Sequence, residues 1–90
     1  MMIDQQEIIE QLNKEGFGDV EVYEDKPNLE YYKHTHEKLT VHIIISGSME
    51  LTDENGIKEL VAGERFDIPA GATHSAKIGS LGCKYIVAEK

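Results

Sequence analysis

The spacing of apolar residues changes once along this chain, close to Gly18. Before it, Ile8, Ile9 and Leu12 form one stripe at helical spacing. Asp4 stands where a helix N-cap belongs, Glu7 three residues later fits a capping box, and Gly16 fits a C-terminal cap. Residues 5–15 are expected to form one amphipathic helix, packed on the outside of the domain or on a partner. After Gly18 the period drops to two. The stretch DVEVYED alternates, with Val20 and Val22 on one face. Pro27-Asn28 breaks it, and LEYYKHTH and LTVHIIIS follow, both rich in β formers. Gly47 permits a tight turn before SMELTD, and Glu54-Asn55-Gly56 is a hairpin signal. IKELV, RFDIP, THSAKI and CKYIVAE complete the strands, with a further turn between Gly79 and Gly82. About eight short strands with glycine-bearing turns argue for an all-β sandwich or barrel over residues 19–88, within a single domain spanning 1–90.

One run carries more than its strand assignment. If Thr40, His42 and Ile44 face the interior, then Val41, Ile43 and Ile45 face outward. Three adjacent aliphatics are too many for an exposed strand face, so something must cover them. The candidates are the N-terminal helix and a second subunit. The helix stripe is only three residues wide, which favours a homodimer. Ninety residues with one cysteine give a small core without a disulfide, so a metal or an oligomer interface is an expected source of stability.

Charge narrows the partners. Nine basic against seventeen acidic residues give a formal charge of -8. A nucleic-acid partner calls for a basic face, and so does an anionic membrane surface; neither is expected. No segment has the length of a transmembrane helix or the form of a signal peptide, and the expected location is cytoplasmic.

The candidate chemistry lies in the four histidines. His34 and His36 flank one residue, so on a strand both imidazoles reach into the same space. His42 follows in the apolar run, and His74 stands after a Pro-Ala-Gly turn. Imidazoles converging from several strands make a site for Zn, Fe, Ni or Cu. Taken singly, each of these histidines also reads as a satisfied polar residue.

The surroundings of the histidines resemble the cupin family. HTHEKLTVHIIISG, from His34, is similar to the first cupin motif: two histidines, a glutamate, and a glycine closing the strand. GERFDIPAGATHSAKI, from Gly63, resembles the second motif, G-x5-P-x-G-x2-H-x3-N, with Gly63, Pro69, Gly71 and His74 in register. The resemblance covers about residues 28–88. It implies a jelly-roll β-barrel with one short N-terminal helix, and a divalent transition metal (Fe, Ni, Zn, Mn, Co or Cu) held by His34, His36 and His74. Two departures stand out. Thr40 occupies the place of the motif's metal-binding glutamate, and Ile78 that of its final asparagine.

Three neutral imidazoles leave a divalent ion its full charge and open positions, which suits a small anionic or chelating ligand. His42 has three readings: a fourth ligand replacing the glutamate, an acid–base group beside the metal, or a buried histidine bonded to a core hydroxyl. Tyr32 shares the parity of His34 and His36, so its phenol is expected in the cavity as a catalytic or ligand-binding group, or as an aromatic filler. Thr40, Ile44 and Phe66 are the expected pocket wall, and Cys83 a small buried residue. Three functions compete. The first is a metal-dependent oxygenase, isomerase or lyase acting on a small molecule. The second is a non-catalytic metal or small-ligand binding module, and the third a metal-free structural barrel. Arg65 is the chain's single arginine and lies outside both histidine motifs.

Overall fold

The structure, a computed structural model, describes residues 3–90. It begins with helix α1 (Gln5–Lys14). Asp4 Oδ1 accepts the backbone N–H groups of Gln6 and Glu7 at 3.0 and 3.2 Å, so two of the four free donors at the helix start are satisfied. At the other end Gly16 takes φ +90°, while its N–H reaches Asn13 O at 3.1 Å and that of Phe17 reaches Leu12 O at 3.0 Å. This pair of bonds is a Schellman cap, and it directs Phe17 back under the helix.

Six strands follow: β1 (Gly18–Asp25), β2 (Glu30–His34), β3 (Thr40–Asp53), β4 (Gly56–Val61), β5 (Arg65–Ile68) and β6 (His74–Glu89). All pairings are antiparallel. Strand β6 runs beside β3 and carries β1 and β2 end to end along its other edge, while β3 carries β5 and β4 in the same way. Two half-sheets result. One contains β1, the last part of β6, the first part of β3, and β5. The other contains β2, the first part of β6, the last part of β3, and β4.

The sequence pattern reads eight short strands because it takes Gly47 and the Gly79–Gly82 stretch as chain reversals. They are bends instead. The β3–β6 ladder continues across them with register shifts between Ile44 and Ser46 and between Gly47 and Met49. Gly47 has φ +77°, and a Cβ there would run into the backbone carbonyl of Gly82, itself at φ +80°. The two long strands cross so closely that a side chain has no room, and the sheet folds over there. The Glu54-Asn55 turn, by contrast, is the two-residue hairpin expected, with Asp53 opposite Gly56.

Ile44, Met49, Leu51, Leu60, Ile68, Ile78, Cys83 and Tyr85 fill the space between the half-sheets. A second cluster lies outside the first half-sheet. There Leu12, Phe17, Val41, Ile43, Ile86 and Ala88 are buried, with Ile8, Ile9, Val20 and Ile45 packed around them. Val41, Ile43 and Ile45 do face outward, and α1 with Phe17 covers them. The expectation of a homodimer rested on a helix stripe of three residues being too narrow for that face, and Phe17 widens it. Arg65 ties the helix down, bonding both carboxylate oxygens of Glu15 at 2.8 and 2.9 Å and Asp67 through Nε at 2.8 Å. The guanidinium holds the Glu15 carboxyl down at about 2. Because both partners are partly exposed, this pair orients the helix more than it stabilises it. Among the described residues no helix is long and apolar enough to cross a membrane.

Candidate metal centre

His34 ends β2 and His74 begins β6, and the two are direct cross-strand partners. His36 lies two residues past His34, where the chain leaves the strand. Its carbonyl accepts the Gly71 N–H at 2.8 Å, so the Pro-Ala-Gly turn is fastened to the segment that carries the first two histidines. Gly71 has φ +79°, the left-handed conformation that this turn requires. The turn delivers His74 to the other two rings.

Ring centroids are 4.9 Å apart for His34 and His36, 4.2 Å for His34 and His74, and 5.1 Å for His36 and His74. One ligating nitrogen from each lies within 4.8 Å of the others. A metal about 2.0–2.1 Å from each imidazole nitrogen sets tetrahedral donors roughly 3.4 Å apart, so small side-chain rotations close the site. His34 Nδ1 lies 2.6 Å from the Tyr32 carbonyl. A carbonyl only accepts, so Nδ1 carries the hydrogen and Nε2 keeps its lone pair for a ligand bond. His74 Nδ1 makes a longer contact of the same kind, 3.5 Å to Ala72 O. Burial, then the neighbouring His34, holds the His74 imidazole below its ordinary pKa, which favours the neutral form that ligation needs. A donor set of three neutral imidazoles fits a borderline transition ion.

These rings face a cavity of about 200 Å3 lined by Tyr23, Tyr31, His34, His36, Thr40, His42, Met49, Leu51, His74, Ala76, Tyr85 and Val87. His42 is in it but outside the three-nitrogen cluster, its ring 6.4 Å from His74 and stacked 6.1 Å from Tyr85. Its Nδ1 is buried without a hydrogen-bond partner among the described residues, and no core hydroxyl takes it up. Burial first, then His74, His36 and His34, lower its pKa to about 4. Thr40 lines the cavity at 1% exposure, and its hydroxyl donates to the Lys38 carbonyl at 3.2 Å.

Three expected wall residues are elsewhere. Tyr32 is 83% exposed and points away from the cavity. A register shift between Tyr31 and His34 breaks the alternation of β2, so Tyr31 shares the inner side with His34. Ile44 is fully buried in the core between the half-sheets, and Phe66 packs against that core. In their place the wall is tyrosine: Tyr23 from β1, Tyr31 from β2 and Tyr85 from β6. Tyr23 was within reach of the sequence, since Glu21, Tyr23 and Asp25 alternate along β1. Cys83 is buried in the core, and burial followed by Asp25 pushes its thiol up to about 11.

No protein-family model and no curated protein matches the chain. Solved structures do. A cupin-2 domain protein from Shewanella frigidimarina superposes with TM-score 0.68 at 24% identity, over 78% of this chain and 67% of that one. Oxalate decarboxylase from Bacillus subtilis, a protein with Mn(II) centres, gives 0.72 at 24% identity over 79% of this chain. The DMSP lyase DddQ from Ruegeria pomeroyi gives 0.73 at 21% identity over 79%. This chain spans only 20% of the decarboxylase and 36% of the lyase. Likeness at such identities speaks to architecture, and it agrees with the two bent half-sheets and the helix laid on one of them: the fold of this chain is that of the cupins, a small all-β jelly roll with one N-terminal helix.

Proposed function

We propose that this chain is a small metal-binding cupin in which His34, His36 and His74 hold one divalent transition ion and the adjoining cavity admits a small chelating ligand. The observation that carries this reading is the convergence of three imidazole nitrogens within 4.8 Å at the edge of a cavity that opens to solvent. A bound divalent ion would act as a Lewis acid toward such a ligand. The chain's own residues do the rest. The Tyr32 carbonyl fixes the His34 tautomer, and the turn through Gly71 aims His74. Met49, Leu51, Ala76 and Val87 give the cavity an apolar lining that strengthens polar contacts inside it. His42 presents a neutral imidazole at pH 7 for hydrogen bonding.

Within this reading an enzyme of oxygenase, isomerase or lyase type is the first proposal. A non-catalytic binding module is the second, and one observation favours it. An efficient acid or base has a pKa near the working pH. Here His42 is moved down to about 4, and burial moves Tyr31 and Tyr85 up. Neither of these moves brings a proton-transfer group toward neutrality.

Elemental analysis of protein purified without chelators or affinity tags tests the metal. About one equivalent of a transition metal is expected, with at least a tenfold loss in His36→Ala or His74→Ala. Full retention of metal in both variants would refute the site.

A further inference from the structure

The tyrosines of the cavity share a property that the histidine site does not explain. Each gives its hydroxyl hydrogen to a carboxylate. Tyr31 and Tyr85 both donate to Asp25 Oδ2, at 2.7 and 2.6 Å, and Tyr23 donates to Glu21 Oε2 at 2.6 Å. A phenol has one hydrogen and two acceptor lone pairs. With all three hydrogens committed, these oxygens offer the cavity acceptors only, polarised by the anions behind them. The ring faces add to this. Tyr23 and Tyr85 stack at 5.6 Å with 26° between their planes, which covers their facing sides, and an uncovered tyrosine face attracts cations. No lysine, arginine or carboxylate is among the residues lining the cavity. Among the described residues the ion pairs are those of Arg65 with Glu15 and Asp67, so Asp25 and Glu21 are not neutralised by a protein cation.

We propose that Tyr23, Tyr31 and Tyr85, backed by Asp25 and Glu21, form a binding site for a protonated amine. The amine's N–H groups bond the phenolic oxygens, and the two carboxylates behind those oxygens balance its charge. The ligand of the cavity then has two unlike ends, a chelating group toward the histidines and an ammonium toward the tyrosines. A cavity of about 200 Å3 keeps that ligand small. The proposal rests on the cavity being the ligand site, but not on the metal.

Its test uses three probes of similar size and different charge: propylammonium, 1-propanol and propionate. Each is titrated into the full chain, metal-free, at pH 7 and 0.15 M salt, with tyrosine ring resonances followed by NMR. Propylammonium is expected to shift Tyr23, Tyr31 and Tyr85 saturably while leaving exposed Tyr32 unmoved, and to bind at least tenfold more tightly than 1-propanol or propionate. Asp25→Asn should reduce that preference at least fivefold. His36→Ala should leave it intact while metal is lost, which separates this proposal from the metal reading. Equal binding of the neutral probe would overturn the proposal. So would a shift of equal size at exposed Tyr32, since this would mark attraction by net charge alone. The comparison of probes on the unaltered chain decides the matter even if Asp25→Asn fails to fold.

Discussion

Replacing Leu12 by alanine tests whether α1 is the true cover of the β-sheet's outer face. Leu12 is fully buried and sits among Phe17, Val41, Ile43, Ile86 and Ala88. The substitution removes three carbon groups at about 0.8 kcal/mol each, roughly 2.4 kcal/mol of transfer energy. Incomplete collapse of the resulting cavity adds to that, so about 3 kcal/mol is expected, within the usual 2–5 kcal/mol. At about 0.05–0.15 kcal/mol per residue, a chain of this length has only about 5–13 kcal/mol in all. The expected fall in Tm is about 12–24 °C, using about 4–8 °C per kcal/mol. Urea unfolding followed by far-UV circular dichroism should show a lower midpoint with unchanged slope. Ile8→Ala, at the half-buried edge of the same stripe, should cost less than half as much. A Leu12→Ala cost under about 1 kcal/mol would refute the reasoning, because a docked helix cannot lose its central contact so cheaply. A wild-type melting temperature that rises with protein concentration would point to a second copy on that face.

Gly47→Ala and Gly71→Ala place the same residue at φ +77° and +79°, but a Cβ meets the Gly82 carbonyl only at Gly47. Chemical unfolding should show about 1–2 kcal/mol lost at Gly71 from the left-handed backbone and at least twice that at Gly47; equal costs would mean that the β3–β6 crossing has slack. In metal-free protein His42 stays neutral in the fold down to about 4 but protonates near 6.5 when unfolded. The unfolded chain therefore binds more protons in that window, and stability should fall as pH drops from about 6.5 toward 4, by up to roughly 3 kcal/mol at about 1.4 kcal/mol per pH unit. Unfolding midpoints between pH 7 and 5 should be flatter in His42→Leu, with a residual slope from His74. The Glu15 carboxylate acts in the same direction but only from about 4.5 downward, and an unchanged slope would show that His42 is hydrated in the folded state.

Much of the site was legible because it rests on local rules. The helix start at Asp4, its end at Gly16 and the turn at Glu54-Asn55 each follow from one or two side chains and their backbone geometry. So does the shared direction of His34 and His36. What was not legible depended on how distant segments meet. Gly47 and Gly82 look like turn residues in isolation, and only their mutual contact makes them the crossing of two long strands. Whether three helix residues suffice to cover Val41, Ile43 and Ile45 depends on Phe17, which the Schellman cap turns under the helix to complete the apolar face. The tyrosine wall joins Asp25 to Tyr85 across 60 positions of chain, a separation that no periodicity spans.

The register shift in β2 shows how closely the two ends of the cavity are linked. With unbroken alternation, Tyr32 would turn inward with His34, and Tyr31 would face solvent. Asp25 would then keep only Tyr85 as a donor, and the Tyr32 carbonyl would not sit where His34 Nδ1 meets it at 2.6 Å. One irregularity in a five-residue strand therefore sets the tautomer of a candidate metal ligand and supplies the second phenol of the opposite wall. A period-2 reading errs at this point for a physical reason. The ladder is interrupted because His34 has to pair with His74 while Tyr31 pairs with Ala76. Tyr32 and Lys33 of β2 are thereby matched to Ser75 alone on β6, and the extra residue turns the side chains over. The departure from regular pairing is what brings the histidines and the tyrosines to face one cavity.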